Sequence, residues 1–170
     1  ALCNRVFWRV AGEHLGADEA LAVMLSETYP SFAALLKNGM TTLWEGFAYF
    51  EGDMAHVPAE IPQGFWSFNH HFWGDISAFF YRYLAGIRID EPGRVKFAPL
   101  FSERVKNVRA EHLFGQGKFR VEICRSGNAA RCRLDVPRGI SVRVMPPKGW
   151  EADKAELVCG ENEVVFTKLG

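Results

Sequence analysis

The chain has 170 residues, of which 48% are hydrophobic and 24% charged, enough for one ordinary domain or two small ones. Its 20 basic and 20 acidic residues cancel, and neither sign forms a long run. We therefore expect neither nucleic acid nor a membrane among its partners, since it has no electrostatic footprint for either and no apolar stretch long enough to cross a bilayer.

The opening segment is expected to be a helix that ends near Gly16. The sequence starts without Met and without a signal-peptide layout, so we expect it to begin inside a helix, as a piece of a longer polypeptide. Nothing in it indicates a cellular compartment. Apolar residues recur at helical spacing in this segment: Cys3, Val6, Phe7, Val10 and Ala11.

Two more helices are expected before residue 40. Asp18 can cap the first, which must stop before Pro30 because the residue preceding a proline is pushed out of the α region. Ser31 can cap the second, which runs through Leu36 and closes at Gly39. The apolar stripe of the first of these helices consists of Leu21, Met24, Leu25 and Thr28.

The clearest helical pattern lies further along the chain, after a loop rich in Gly and Pro that extends to about Trp66. Asp75 is the expected cap. Large apolar residues then follow at spacings of three and four, which predicts a helix packed on one side: Ile76, Phe79, Phe80, Tyr83, Leu84 and Ile87.

The turn Asp90-Glu91-Pro92-Gly93 is the predicted domain boundary, which divides the chain into residues 1–91 and 92–170. Beyond it, the apolar period changes to that of strands. About seven short strands predict a small antiparallel β-sandwich and an α+β chain as a whole. The apolar runs are Val95-Phe97, Val105-Val108, Phe119-Ile123, Leu134-Val136, Val142-Val144, Leu157-Cys159 and Val164-Phe166.

The four cysteines show neither a zinc spacing nor a redox motif, and no metal is expected. Cys124 and Cys132 would face each other across a hairpin if its turn had three residues centred on Asn128. Buried free thiols are the favoured interpretation, and a disulfide is left open.

A carboxylate beside an indole, followed later by an amide and an imidazole, is the chain's most informative pattern: Trp44-Glu45 and then Asn69-His70. Aromatic rings cover the C–H face of a sugar, and polar groups bind its hydroxyls, so the pattern indicates a carbohydrate site. Glu45 can serve as a base if hydroxyls such as those of Thr41 or Thr42 orient it. Weaker candidates lie around these residues: Glu51, Asp53, Trp66 and Trp73.

Four motifs together resemble the C-terminal part of the bacterial α-L-rhamnosidases. They are Tyr29-Pro30-Ser31-Phe32, the run from Lys37 to Glu45 with Thr-Thr-Leu-Trp-Glu, Ser67-Phe68-Asn69-His70, and the run from Tyr81 to Ile87. Two departures from the family pattern flank the pocket: Gly46-Phe47 after the glutamate and His71 after the histidine.

The resemblance implies an inverting glycoside hydrolase with an α/α-toroid catalytic domain and a C-terminal β-sandwich. It makes Glu45 the general base and places His70 at the rhamnose subsite, with Asn69 and Trp44 as further pocket residues. The implied ligand is a rhamnose-containing oligosaccharide or glycoside, without a cofactor. The general acid would come from the remainder of the parent catalytic domain, so the chain alone is expected to be inactive.

Alternatives from the residues themselves remain open. Glu45 could cap a helix or pair with an arginine, and His70 could be a hydrogen-bonded core histidine. Asn69 could instead orient the loop through a turn hydrogen bond, and the aromatic cluster could be plain core. The competing function is a non-catalytic carbohydrate-binding or structural module that retains the motif.

Overall fold

The computed structural model describes residues 4–28, 31–37, 40–43, 45, 67 and 69–170. Helices occupy the first part of the chain and mostly antiparallel strands the second, which confirms the predicted α+β class. Two compact units are present, Ala1–Ser77 and Ala78–Gly170. Within the described residues, no helix has the length and apolar character that a membrane span requires.

Three helices open the first unit. Helix α1 (Asn4–Val10) continues into a π-helical turn (Ala11–Leu15), and helices α2 (Ala17–Met24) and α3 (Phe32–Lys37) follow. The prediction that Ser31 caps α3 is confirmed, because its Oγ accepts a hydrogen bond of 3.0 Å from the Ala34 backbone N–H.

The predicted stripe of α1 is wrong for three of its residues. Val6, Phe7 and Val10 are exposed, whereas Ala11 is buried as predicted, as is Trp8, which was not part of the stripe; Cys3 lies outside the described residues. Trp8 turns the helix because its large ring packs against Phe32, with the ring centroids 5.9 Å apart.

The expected cap and stripe of α2 also need correction. Its N-cap residue is Gly16, and Asp18 lies within the first turn, where its carboxylate favourably faces the positive end of the helix dipole. Leu21 and Met24 are buried as predicted, but Leu25 is exposed. Small residues complete the buried face at helical spacing: Ala17 and Ala20.

The last helical segment is shorter and less regular than its pattern predicted. A 3₁₀ turn (His71–Asp75) leads into α4 (Ile76–Phe79) and then into a π-helical turn (Phe80–Leu84). Asp75 is therefore the last residue of the 3₁₀ turn, inside the helical path, and does not begin that path as the predicted cap would. Ile87 does not continue the helix and instead begins the first strand. Gly86, with a φ of 73°, ends the helical path before the chain extends.

Nine strands form two sheets in the second unit. The four-stranded sheet has the order β1-β2-β6-β8, and the five-stranded sheet has the order β3-β4-β5-β9-β7. The strands are β1 Ile87–Glu91, β2 Arg94–Phe97, β3 Asn107–Phe114, β4 Gly117–Ser126, β5 Ala129–Val136, β6 Ser141–Val144, β7 Trp150–Ala152, β8 Glu156–Leu157 and β9 Gly160–Lys168.

The strand count and the pairing differ from the sequence prediction in two ways. Strands β1 and β7 were missed, and β2 pairs with β6 in parallel rather than antiparallel. Strand β7 has only three residues, which is too short for an alternating run, and it joins the sheet by pairing with β9.

One apolar core joins the two sheets. Alternate residues of each long strand face inward, as the burial pattern of β4 illustrates. Aromatic rings at its centre include Phe97, Phe119 and Phe166, each with essentially no exposed surface. Around them the core contains mainly β-branched and aliphatic side chains of both sheets, among them Val95, Val121, Leu134, Val142 and Val164.

The β4–β5 hairpin determines whether Cys124 and Cys132 face each other. Ser126 pairs with Ala129, so the turn has two residues, Gly127 and Asn128, instead of the three considered from sequence. A register shift by one residue moves a side chain to the opposite face of the sheet. Cys124 is therefore exposed opposite Arg131, while Cys132 is buried; both thiols are free.

The turn predicted as the domain boundary connects β1 to β2 within one antiparallel hairpin. By compactness, the chain divides between Ser77 and Ala78, inside α4. Residues 87–91, which were expected in the helical part, belong to a sheet. The domain limits 1–91 and 92–170 stay a prediction, because compactness alone does not define a domain.

Candidate active site

Two chain segments distant in sequence run side by side in the first unit. The Glu45 backbone N–H donates to the Ser67 carbonyl at 2.8 Å, and the His70 N–H donates to the Leu43 carbonyl at 2.6 Å. These two backbone hydrogen bonds bring the predicted Glu45 and His70 together.

The Glu45 carboxylate is held at one oxygen. Its Oε2 accepts a hydrogen bond of 3.1 Å from the Ser67 backbone N–H and lies 3.6 Å from His70 Nδ1. Within the described residues, Oε1 makes no hydrogen bond, and the side chain is 41% exposed. The carboxylate is thus oriented and still accessible to water.

The His70 imidazole is enclosed by its neighbours, with 13% of the side chain exposed. The Phe72 ring meets it edge-on at 4.9 Å between centroids, and His71 stacks on it at 5.6 Å. Its Nε2 is buried and finds no hydrogen-bond partner in the described part of the chain. A buried polar atom without a partner costs about 1–3 kcal/mol, so Nε2 is suited to an additional hydrogen-bonding group.

Ser67 is the residue to which sequence reasoning gave no role. Its Oγ accepts a hydrogen bond of 3.3 Å from the Asn69 backbone N–H. This hydrogen bond shapes the turn between Ser67 and His70. The spacing Ser-x-Asn is typical of such side-chain-supported turns and was the available signal. Asn69 is exposed at this turn.

The other candidates divide into two groups. Trp44, Glu51, Asp53 and Trp66 lie outside the described residues. Of the rest, Thr41 is exposed, and its hydroxyl makes no hydrogen bond with Glu45 in the described ranges. Trp73 packs edge-on against Phe32, with the ring centroids 6.0 Å apart.

The Glu45 carboxylate and the His70 imidazole can accept a proton or a hydrogen bond. An anchored carboxylate with one oxygen that makes no hydrogen bond in the described residues can take a proton from water, and a buried imidazole nitrogen without a partner in those residues can bind a hydroxyl. Among residues the structure describes, no group of His, Cys, Asp and Glu is arranged to hold a metal ion.

Residues 1–84 match the family model described as the bacterial alpha-L-rhamnosidase 6 hairpin glycosidase domain. An alpha-L-rhamnosidase of Alteromonas sp. (strain LOR) is 27% identical over 132 residues, which is 76% of this chain and 14% of that protein.

Solved structures agree in fold. The alpha-L-rhamnosidase of Dictyoglumus thermophilum superposes with a TM-score of 0.78 at 22% identity, over 98% of this chain and 20% of its own. That of Aspergillus terreus gives 0.77 at 18% identity, over 95% and 18%. The Streptomyces avermitilis enzyme, solved with L-rhamnose, gives 0.72 at 21% identity, over 96% and 17%.

Over residues 1–84 by family model, and over nearly the whole chain in fold, the chain is therefore similar to alpha-L-rhamnosidases, which is the resemblance that its motifs predicted. It spans one fifth or less of the length of the relatives named above.

Proposed function

We propose that the chain is the C-terminal segment of a glycoside hydrolase that releases terminal α-L-rhamnose with inversion, and that Glu45 is its general base. The observation that carries this proposal is the Glu45 carboxylate, which is fixed at Oε2 by the Ser67 N–H and makes no hydrogen bond at Oε1 with any residue that the structure describes. The family match over residues 1–84 supports the reaction class.

Inversion requires a carboxylate that activates a water on the face of the sugar opposite the leaving group. A general acid must protonate the leaving oxygen, and the two carboxyl groups stand about 6.5–9.5 Å apart to admit the water. Glu45 meets the requirements of the base, since it is oriented and accessible. The acid comes from the part of the parent catalytic domain that precedes this segment.

The sugar pocket contains His70 and Asn69, with Trp44 as its aromatic wall. Nε2 of His70, buried and without a hydrogen-bond partner among the described residues, binds one sugar hydroxyl, and the exposed Asn69 at the adjacent turn binds another. A rhamnose-containing oligosaccharide or glycoside is the substrate class.

The helices belong to the closing hairpins of an α/α toroid, and the two sheets form the appended β-sandwich. The remainder of the catalytic domain is the principal protein partner. The 170-residue chain alone should show no hydrolysis, because it lacks the general acid.

The test uses the full-length parent enzyme with Glu45→Gln, which keeps the shape but cannot take the proton. Loss of a positioned base costs about 10²–10⁴-fold in rate, so kcat should fall by that order with little change in KM. Glu27→Gln is the matched control, because Glu27 is an exposed glutamate paired with Lys37 at 2.5 Å. It should leave kcat unchanged.

Proton NMR of the first-formed anomer tests the stereochemistry, and azide should partly restore turnover to Glu45→Ala with a glycosyl azide of inverted configuration. Near-full activity of Glu45→Gln would rule out the base, and Glu51 and Asp53 would then be tested. A parent protein that binds rhamnosides without turnover would instead establish the non-catalytic module.

A further inference from the structure

We infer that His70 is a positioning residue for Glu45 through its Nδ1 edge, and that Oε1 of Glu45, not Oε2, is the atom that accepts the proton. This inference rests on the proposed function of Glu45. It gives the two nitrogens of one imidazole separate tasks, because Nε2 is left for the sugar.

Two groups converge on the same carboxylate oxygen. The Ser67 backbone N–H reaches Oε2 at 3.1 Å, and His70 Nδ1 lies 3.6 Å from it. An oxygen that already receives an N–H is a poorer proton acceptor than its free partner. Oε1, with no hydrogen bond within the described residues, is therefore the reactive atom.

Both groups belong to one turn, which the chain fixes at three places. Ser67 Oγ receives the Asn69 N–H, the Ser67 carbonyl receives the Glu45 N–H, and the Leu43 carbonyl receives the His70 N–H. A change in this turn therefore moves the carboxylate and the imidazole together.

The imidazole cannot turn away easily. His71 stacks on one of its faces, and the Phe72 ring meets it edge-on. These rings fix the plane of the imidazole. A half-turn about χ2 keeps that plane but takes Nδ1 away from Glu45, so the attraction between Nδ1 and the carboxylate is what favours the observed orientation.

The separation of 3.6 Å is longer than a hydrogen bond, and the attraction across it is electrostatic. Contacts of this kind commonly shorten when the substrate binds. A neutral imidazole that directs its Nδ1–H at the carboxylate has a lone pair on Nε2, which can then accept a hydrogen bond from a sugar hydroxyl.

Two variants of the parent enzyme separate the tasks. In His70→Asn, the amide nitrogen takes the place of Nδ1 and nothing replaces Nε2. In His70→Gln, the amide reaches the place of Nε2 and Nδ1 is lost. A misplaced catalytic group costs up to about 100-fold in rate, so His70→Ala should lower kcat by about 10- to 100-fold.

We expect His70→Asn to restore kcat to within a few-fold of wild type while KM stays raised. His70→Gln should show the converse, with a KM near wild type and a low kcat. The matched controls are His14→Asn and His14→Gln, since His14 is an exposed histidine on the π-helical turn after α1. Both should behave as wild type.

A double-mutant cycle with Glu45→Gln completes the test. If His70 acts through Glu45, His70→Ala should lower kcat no further in the Glu45→Gln background. Additive losses, or a His70→Ala enzyme with wild-type kcat, would overturn the positioning role. Equal losses in the Asn and Gln variants would do so as well. A fully active Glu45→Gln enzyme would instead remove the proposed function itself.

Discussion

The two compact units differ in what their charged and polar side chains do. In the second unit, a core joins both sheets, and opposite charges alternate across the outer face of the five-stranded sheet. Arg120 bonds to Glu111 at 3.0 Å and to Asp135 at 2.9 Å, and Arg131 bonds to Glu163. The buried Arg125 has an ion pair with Glu103 and lies over the Trp150 ring, although its Nε finds no hydrogen-bond partner in the described residues.

The first unit instead contains the candidate site. His70 Nε2 and Asp75 Oδ2 are buried there without a hydrogen-bond partner in the described ranges. Large apolar side chains are exposed in both units, among them Val6 and Leu36 in the first and Leu113 and Val158 in the second. Such groups are where a ligand or a further protein segment finds partners. The candidate chemistry lies in the first unit.

Separating the two units should give the largest contrast. We expect residues 78–170 to fold alone, with a β-type circular dichroism spectrum, a cooperative thermal transition and no rhamnose binding. The segment must start before β1, because β1 pairs with β2 and the Tyr83 carbonyl receives the Leu100 N–H at 2.7 Å. Residues 1–77 alone should bind a hydrophobic dye and melt without cooperativity.

A core variant provides the control for this contrast. Phe166→Ala empties the centre of the second unit and should remove about 3–5 kcal/mol of its unfolding free energy, measured by urea denaturation. Leu169→Ala, at an exposed site, should change it little. A cooperative, dye-free first unit, or saturable rhamnose binding by the second, would contradict the comparison.

The next effect concerns a close backbone approach inside the second unit. Gly86 has a φ of 73°, and a Cβ there would lie 2.5 Å from the Pro99 backbone nitrogen. Gly127 has a φ of 56° with nothing within 4 Å. Both alanine variants carry a left-handed strain of about 1–2 kcal/mol, and Gly86→Ala should lose about 1–3 kcal/mol more from overpacking. Equal losses of unfolding free energy in the two variants would show that the close approach of Pro99 adds nothing to the cost of Gly86→Ala.

The smallest effect is a pH dependence in the core. Burial, followed by the negative charge of Asp153, raises the pKa of the Cys132 thiol to about 12. An unfolded thiol titrates near 8.5, so the folded state retains a proton that the unfolded state loses above that pH. This contribution to stability is complete below about pH 8.5 and is lost as the pH rises toward 12.

Between pH 8 and pH 10 the protein should therefore lose about 2 kcal/mol of unfolding free energy through this thiol. Cys132→Val is the control, since it keeps the volume and has no proton to lose. Urea denaturation of both proteins at the two pH values gives the comparison. Equal pH dependence in the two would show that the thiol is not held neutral.

Sequence patterns predicted the elements best where one periodicity dominated. The alternation in β4 and the cap at Ser31 are local properties, and the structure confirms both. The buried face of α1 was predicted wrongly because several faces of that helix are apolar, and packing against Phe32 buries the face that carries Trp8. The cysteine geometry depended on one residue of turn length, which the sequence left open between two and three.

By itself, the sequence determined the family resemblance and the residue types of the candidate site, because Trp44-Glu45 and Asn69-His70 can be read directly from the motifs. Only the tertiary structure decided that Ser67 and His70 approach the same Glu45 oxygen. It also decided that Cys124 and Cys132 point to opposite faces and that Ile87 starts a strand. The physical reason is that residue identity carries chemical capacity, whereas which atom faces which depends on backbone hydrogen bonds between segments far apart in the chain.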